Sequence, residues 1–105
     1  MYEVRNLWYP KLNQEGELRG LLKDIAEQRQ ARGQKTSVTE QMFTPAGRVF
    51  IVAFWDDSLE AFEARQRDIA DREEEMAYLT RARSLCTNHV MELHKVVVPF
   101  PASGM

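Results

Sequence analysis

Few side chains in this 105-residue sequence could do chemistry near neutral pH. Its 2 histidines, His89 and His94, share the segment HVMELHKVVV. His94 is the stronger acid–base candidate, because imidazole titrates near neutrality. It alternates with Glu92 and Val96 on a strand that would line a cavity. The plainer alternative is a histidine hydrogen-bonded at a barrel seam. His89 begins the strand and is expected to be exposed. The two fall on opposite faces of a regular strand, so they cannot chelate one ion.

The second group is near the N-terminus. Glu3 and Arg5 share one face of a first strand, where Arg5 could clamp a carboxylate ligand. Its alternative is an ion pair with Glu92 or Glu40. Asn6 and Trp8 occupy the opposite face, toward the helices, as polar handle and aromatic wall of a small pocket. Trp55 could join them, although a tryptophan at a strand end is commonly plain core. Tyr9, Tyr78 and Arg48 are weaker candidates of the same kind. The candidate ligand-binding set is therefore Arg5, Asn6, Trp8, Trp55 and His94, with His94 as the candidate catalytic residue.

Other chemistries lack their residues. No Ser-His-Asp pattern, phosphate-cradling glycine loop, CxxC or HExxH occurs. No cofactor and no metal is expected. The acidic run Asp71 to Glu75 reads as a solvated helix face, since a carboxylate cluster for a metal would need inward partners elsewhere. Arg29, Arg32 and Lys35 read as cations favoured near a helix C-terminus. A net charge of −2 gives no basic footprint for nucleic acid. The lone Cys86 excludes an intrachain disulfide, fits a reducing compartment and reads as a packing residue. No apolar run reaches the roughly 20 residues of a membrane span, and MYEVRNLWYP lacks a leader pattern. A cytosolic location is expected.

The elements that must position these residues are legible in order. Tyr2 to Tyr9 alternates as a strand, ended by Pro10. A helix follows from an N-cap at Asn13 to about Arg32, with Leu18, Leu21, Leu22, Ile25 and Ala26 as its apolar stripe and Gly33 as its stop. Thr36 to Thr44 reads as an edge strand, turned by Pro45-Ala46-Gly47 into Val49–Trp55. Asp57 with Glu60 forms a capping pattern for a long second helix, bent near Asp71–Glu74 and continuing to about Leu85. His89 to Val98 is the last strand, and Phe100 to Met105 a tail. The whole is one domain.

The order β-α-β-β-α-β is the ferredoxin-like split βαβ arrangement, an α+β fold with two helices on one face of a four-stranded antiparallel sheet. In Val49–Trp55 both faces are apolar, and a strand buried on both sides needs cover on both sides. The helices cover one face, so a second copy of the chain is expected on the other, making a dimeric α/β barrel.

The residues resemble the dimeric α/β-barrel superfamily, and within it the NIPSNAP-like proteins. The resemblance rests on Tyr2-Glu3-Val4-Arg5, on Trp55-Asp56-Asp57-Ser58-Leu59 through Arg65, and on Pro99-Phe100-Pro101. An acidic-plus-Trp feature usual later in that family's second helix is replaced here by Arg72-Glu73-Glu74-Glu75-Met76. The resemblance implies a fold and a homodimer more than a reaction. A sister group, the antibiotic-biosynthesis-monooxygenase-like proteins, includes haem degraders with an Asn on the first strand and a Trp and axial His on the second helix. Asn6 matches, but Ser58 to Leu85 contains neither Trp nor His, so haem degradation is not implied. Two functions are expected: a small homodimeric protein binding an apolar or aromatic ligand, or a cofactor-independent monooxygenase or isomerase. In the second, Asn6, Trp8 and His94 would orient substrate and stabilise an enolate.

Overall fold

A computed structural model describes residues 1–42, 44, 45 and 47–99. Its strands are β1 (Tyr2–Pro10), β2 (Thr36–Gln41), β3 (Val49–Asp56) and β4 (Cys86–Lys95). Three helices join them: α1 (Glu15–Ala31), α2 (Leu59–Ala70) and α3 (Glu73–Ser84). The strands form one antiparallel sheet in the order β2-β3-β1-β4. This is the expected ferredoxin-like topology, with the second helix divided in two.

Register follows from the apolar pattern, because a slip of one residue would turn every side chain to the wrong face. Val4 pairs with Phe54, Asn6 with Val52 and Trp8 with Phe50. These residues meet α1, whose Leu18, Leu22 and Ile25 recur at helical spacing and are fully buried against Trp8, Phe50 and Val52. Glu3, Arg5 and Leu7 lie on the opposite face with Ala53 and Ile51, where no described helix packs.

The helix ends show where local sequence decides. Gly33 adopts φ +81°, and the N–H groups of Gly33 and Gln34 return to the carbonyls of Gln30 and Arg29 at 2.9 and 3.0 Å. That is the Schellman closure expected of a glycine just past a helix. The expected cap at Asn13 is displaced. Asn13 takes a left-handed φ of 67° in the preceding turn, and Gln14 stands at the helix start without a side-chain cap. Asparagine tolerates that conformation better than other non-glycine residues, so its turn role wins. The cap of α2 is Ser58 rather than Asp57, its hydroxyl accepting from the Ala61 N–H at 3.1 Å.

Two further expectations are corrected. β4 begins at Cys86, not His89, and ends at Lys95, leaving Val97 and Val98 exposed. Glu75 is not on a solvated face. It is 2% exposed, and Arg29 Nε donates to its carboxylate at 2.8 Å with Arg32 beside it at 3.4 Å. The six-residue step from buried Ile69 to buried Glu75 does not fit one continuous helix. The break between α2 and α3 turns the carboxylate inward. Ala46 of the expected turn and the tail Phe100 to Met105 lie outside the described residues.

Candidate functional site

A cavity of about 110 Å³ lies between the sheet and the helices. Its floor is the helix-facing side of three strands: Asn6 and Trp8 of β1, Val52 and Phe54 of β3, His89 and Met91 of β4. Leu22, Ile25 and Arg29 of α1 wall one side. Gln66 and Ile69 of α2 and Leu79 and Arg83 of α3 complete it.

The polar part of the floor is built by strand register. Because β4 starts three residues earlier than expected, His89 lies mid-strand, directly opposite Trp8. The imidazole stacks on the indole with ring centroids 3.8 Å apart and planes 19° apart. His89 Nε2 lies 3.2 Å from Asn6 Oδ1. The pair is satisfied when Nε2 donates to the amide oxygen, which leaves Nδ1 as the basic nitrogen. Burial, reinforced by the positive charge of Arg83, holds the His89 pKa below its ordinary 6.5. Trp8 is 2% exposed, and its indole N–H has no hydrogen-bond partner. An unpaired buried donor is costly, and native structures contain few of them.

Asn6 and Trp8 therefore stand where the sequence placed them, facing the helices. The other candidates do not join them. His94 is on the open face of β4, bonded to Glu92 at 3.0 Å and exposed to water. The scheme in which Asn6, Trp8 and His94 hold one substrate is thus corrected: His89 occupies the place expected of His94. The period of two separates the two histidines as anticipated, and only the identity of the helix-facing one differs. Arg5 is also on the open face, paired with Glu3 at 3.3 Å and opposite Glu92. Glu40 pairs instead with Arg19 and Arg48.

Trp55 points away from Trp8 and borders a second, wider groove of about 480 Å³. Lys35 lies over its ring at 5.5 Å. Arg65 in this groove bonds Asp56, with Nε at 2.9 Å, and covers the Phe54 ring at 3.7 Å. Burial, then the nearby Arg29 charge, lowers the Arg65 pKa to about 10, partly offset by Glu75. It remains a cation at neutral pH. Arg72 is likewise engaged with Asp68 at 3.0 Å. The groove's acids and bases largely satisfy one another. The Cys86 thiol is buried, and burial raises its pKa against a smaller opposing effect of Lys11, so it stays protonated at neutral pH.

Sequence reasoning did not find Arg29, Gln66, Arg83 or Glu75. The helical spacing of Leu79 and Arg83 on α3, continued from the buried Glu75, is the signal that places both in this wall. Among the described residues no group of His, Cys, Asp and Glu could hold a metal ion. No described helix is long and apolar enough to cross a membrane.

No protein-family model matches the chain, and no curated protein matches it in sequence. Solved structures do. An uncharacterised NIPSNAP-domain protein from Burkholderia xenovorans superposes with a TM-score of 0.78 at 11% identity, covering 96% of this chain and 99% of its own. A NIPSNAP-family protein from Agrobacterium tumefaciens gives 0.74 at 17% identity, over 98% and 89% of the two chains. A candidate antibiotic-biosynthesis monooxygenase from Deinococcus radiodurans gives 0.72 at 19% identity, over 99% and 100%. At these identities what is shared is architecture. The chain has a ferredoxin-like fold, shared with these NIPSNAP-domain and monooxygenase-like proteins.

Proposed function

We propose that this chain is a homodimeric binding protein for a planar, oxygen-bearing molecule of about one ring, held between the sheet and the helices. The observation that carries this is the buried, unpartnered indole N–H of Trp8, a residue that lines the 110 Å³ cavity. A mostly apolar hollow with a few converging polar groups is the usual form of a small-molecule site. An apolar cavity of about 150 Å³ takes benzene, so one ring is close to the limit here. A polycyclic polyketide or a porphyrin requires the helices to move apart. A ligand oxygen accepting from Trp8 would remove the cost of that orphaned donor.

The second copy belongs on the open face of the sheet. Leu7, Ile51 and Val90 are only partly covered there, and no described helix packs on that face. A two-fold axis would place this patch against itself. A cytosolic location is part of the same proposal, supported by a single buried thiol in place of any disulfide framework.

A second function, a cofactor-independent monooxygenase or isomerase, is favoured by one observation: a neutral imidazole in the cavity wall with Nδ1 free to accept a proton. His89 would deprotonate a bound phenol or enol, and the Trp8 N–H would stabilise the oxyanion. His89→Gln keeps a donor for Asn6 and cannot take the proton. Retained binding with lost turnover would select this function, and unchanged turnover would dismiss it.

Titration with phenol, followed by proton–nitrogen NMR of the tryptophan side chains, tests the binding site. The Trp8 indole N–H should move downfield while that of Trp55 stays. Movement of Trp55 alone would sink the assignment of the cavity.

A further inference from the structure

We infer that the ligand of this cavity is an anion, a single-ring aromatic carboxylate whose carboxylate is received by Arg83. This rests on the cavity being the binding site. Arg83 lines the cavity from the last turn of α3, one helical step from Leu79 and two from Glu75, on the stripe that faces the sheet. Every other arginine except Arg67 is paired with a carboxylate. Arg67 lies outside the cavity wall, whereas Arg83 is in it with no acidic partner among the described residues.

The rest of the wall has the same bias. No aspartate or glutamate lines the cavity. Its polar-bearing lining residues include Trp8, Gln66 and Arg29, whose guanidinium Glu75 already neutralises. Among the described residues Arg83 is therefore the one lining cation without a counter-charge. A planar guanidinium matches a carboxylate bidentately. With the ring against the Trp8–His89 stack, a carboxylate at the mouth would meet Arg83. A ring oxygen further in would meet the indole N–H. A cationic ring would face Arg83 with nothing to offset the repulsion.

Benzoate and its neutral isostere benzamide separate charge from shape. Isothermal titration at low salt should show benzoate binding about tenfold more tightly, as a charge-assisted hydrogen bond at a partly exposed position provides. Arg83→Ala should weaken benzoate much more than benzamide and so abolish the preference between them, and Arg83→Lys should keep part of the preference. Added salt should narrow it. Arg83 is exposed, so folding of the variants is expected and is checked by circular dichroism. Equal binding of the two compounds, or an Arg83→Ala variant that still prefers benzoate, overturns the anion assignment alone. If neither compound moves the Trp8 indole signal at millimolar concentration, the cavity as binding site falls with it.

Discussion

Replacing Glu75 by alanine should be among the most damaging single changes available in this chain. The Glu75 side chain is 2% exposed and that of Arg29 5%, with 2.8 Å between Oε1 and Nε. Arg29 also lies over the Phe54 ring at 5.4 Å, so it is fixed by packing and cannot swing into water without opening the core. Deleting the carboxylate strands a buried guanidinium, and breaking such a pair from one side costs about 3–5 kcal/mol. Arg32, the second partner, has a side chain 32% exposed and would rehydrate, which argues for the lower end of that range. A loss of about 3 kcal/mol corresponds to a fall in Tm of about 12–15 °C for a domain of this length. Measured against a total stability of about 5–15 kcal/mol, that is a large fraction. Urea unfolding at neutral pH provides the assay, with Glu74→Ala as the exposed control expected to shift stability by less than about 0.5 kcal/mol. Glu75→Leu combined with Arg29→Met removes both charges and should recover most of the loss, so the double variant costs well under the sum of Glu75→Leu and Arg29→Met measured singly. If Glu75→Ala matches Glu74→Ala, or if the double variant shows simple additivity, the inward-facing ion pair is wrong.

Three other outcomes are expected. The depressed pKa of His89 means that the fold disfavours its imidazolium, so stability present above about pH 6.5 should fall as pH drops through that value toward the lower folded pKa. His89→Gln should flatten this part of the urea-stability profile between roughly pH 7 and 5, and an unchanged slope would count against a buried neutral His89. Ile51→Asp places a charge in the centre of the open face and should weaken the homodimer at least about a hundredfold in sedimentation experiments. Wild type sedimenting as a monomer at micromolar concentration would refute the dimer itself. Ser58→Ala removes the one observed side-chain cap of α2 and should cost about 1 kcal/mol, whereas Asp57→Ala should cost much less.

The topology was legible in the sequence because its signals are local and periodic. Alternation in Tyr2 to Tyr9, the stripe from Leu18 to Ala26 and the stop at Gly33 each report one element without needing a partner. The two-sided apolar character of Val49–Trp55 likewise marked it as an interior strand of the sheet. The candidate site was legible only in part. Asn6 and Trp8 could be assigned to the helix side from alternation alone. Which histidine faced them depended on pairing between residues about eighty positions apart, and no local pattern sets that register. Glu75 was hidden for a related reason. A carboxylate inside an acidic run reads as solvated until the break after Ala70 and the inward Arg29 of another helix are both known. Arg83 carried no local mark either, because its proposed role rests on the absence of an acidic partner among the described residues rather than on any motif.

The most direct measurement is a crystal structure of the protein grown with saturating benzoate. The ring should lie between the sheet and the helices against Trp8 and His89, with its carboxylate at Arg83. A ring bound only in the groove beside Trp55, with the Trp8 cavity closed and empty, would contradict the assignment of the site.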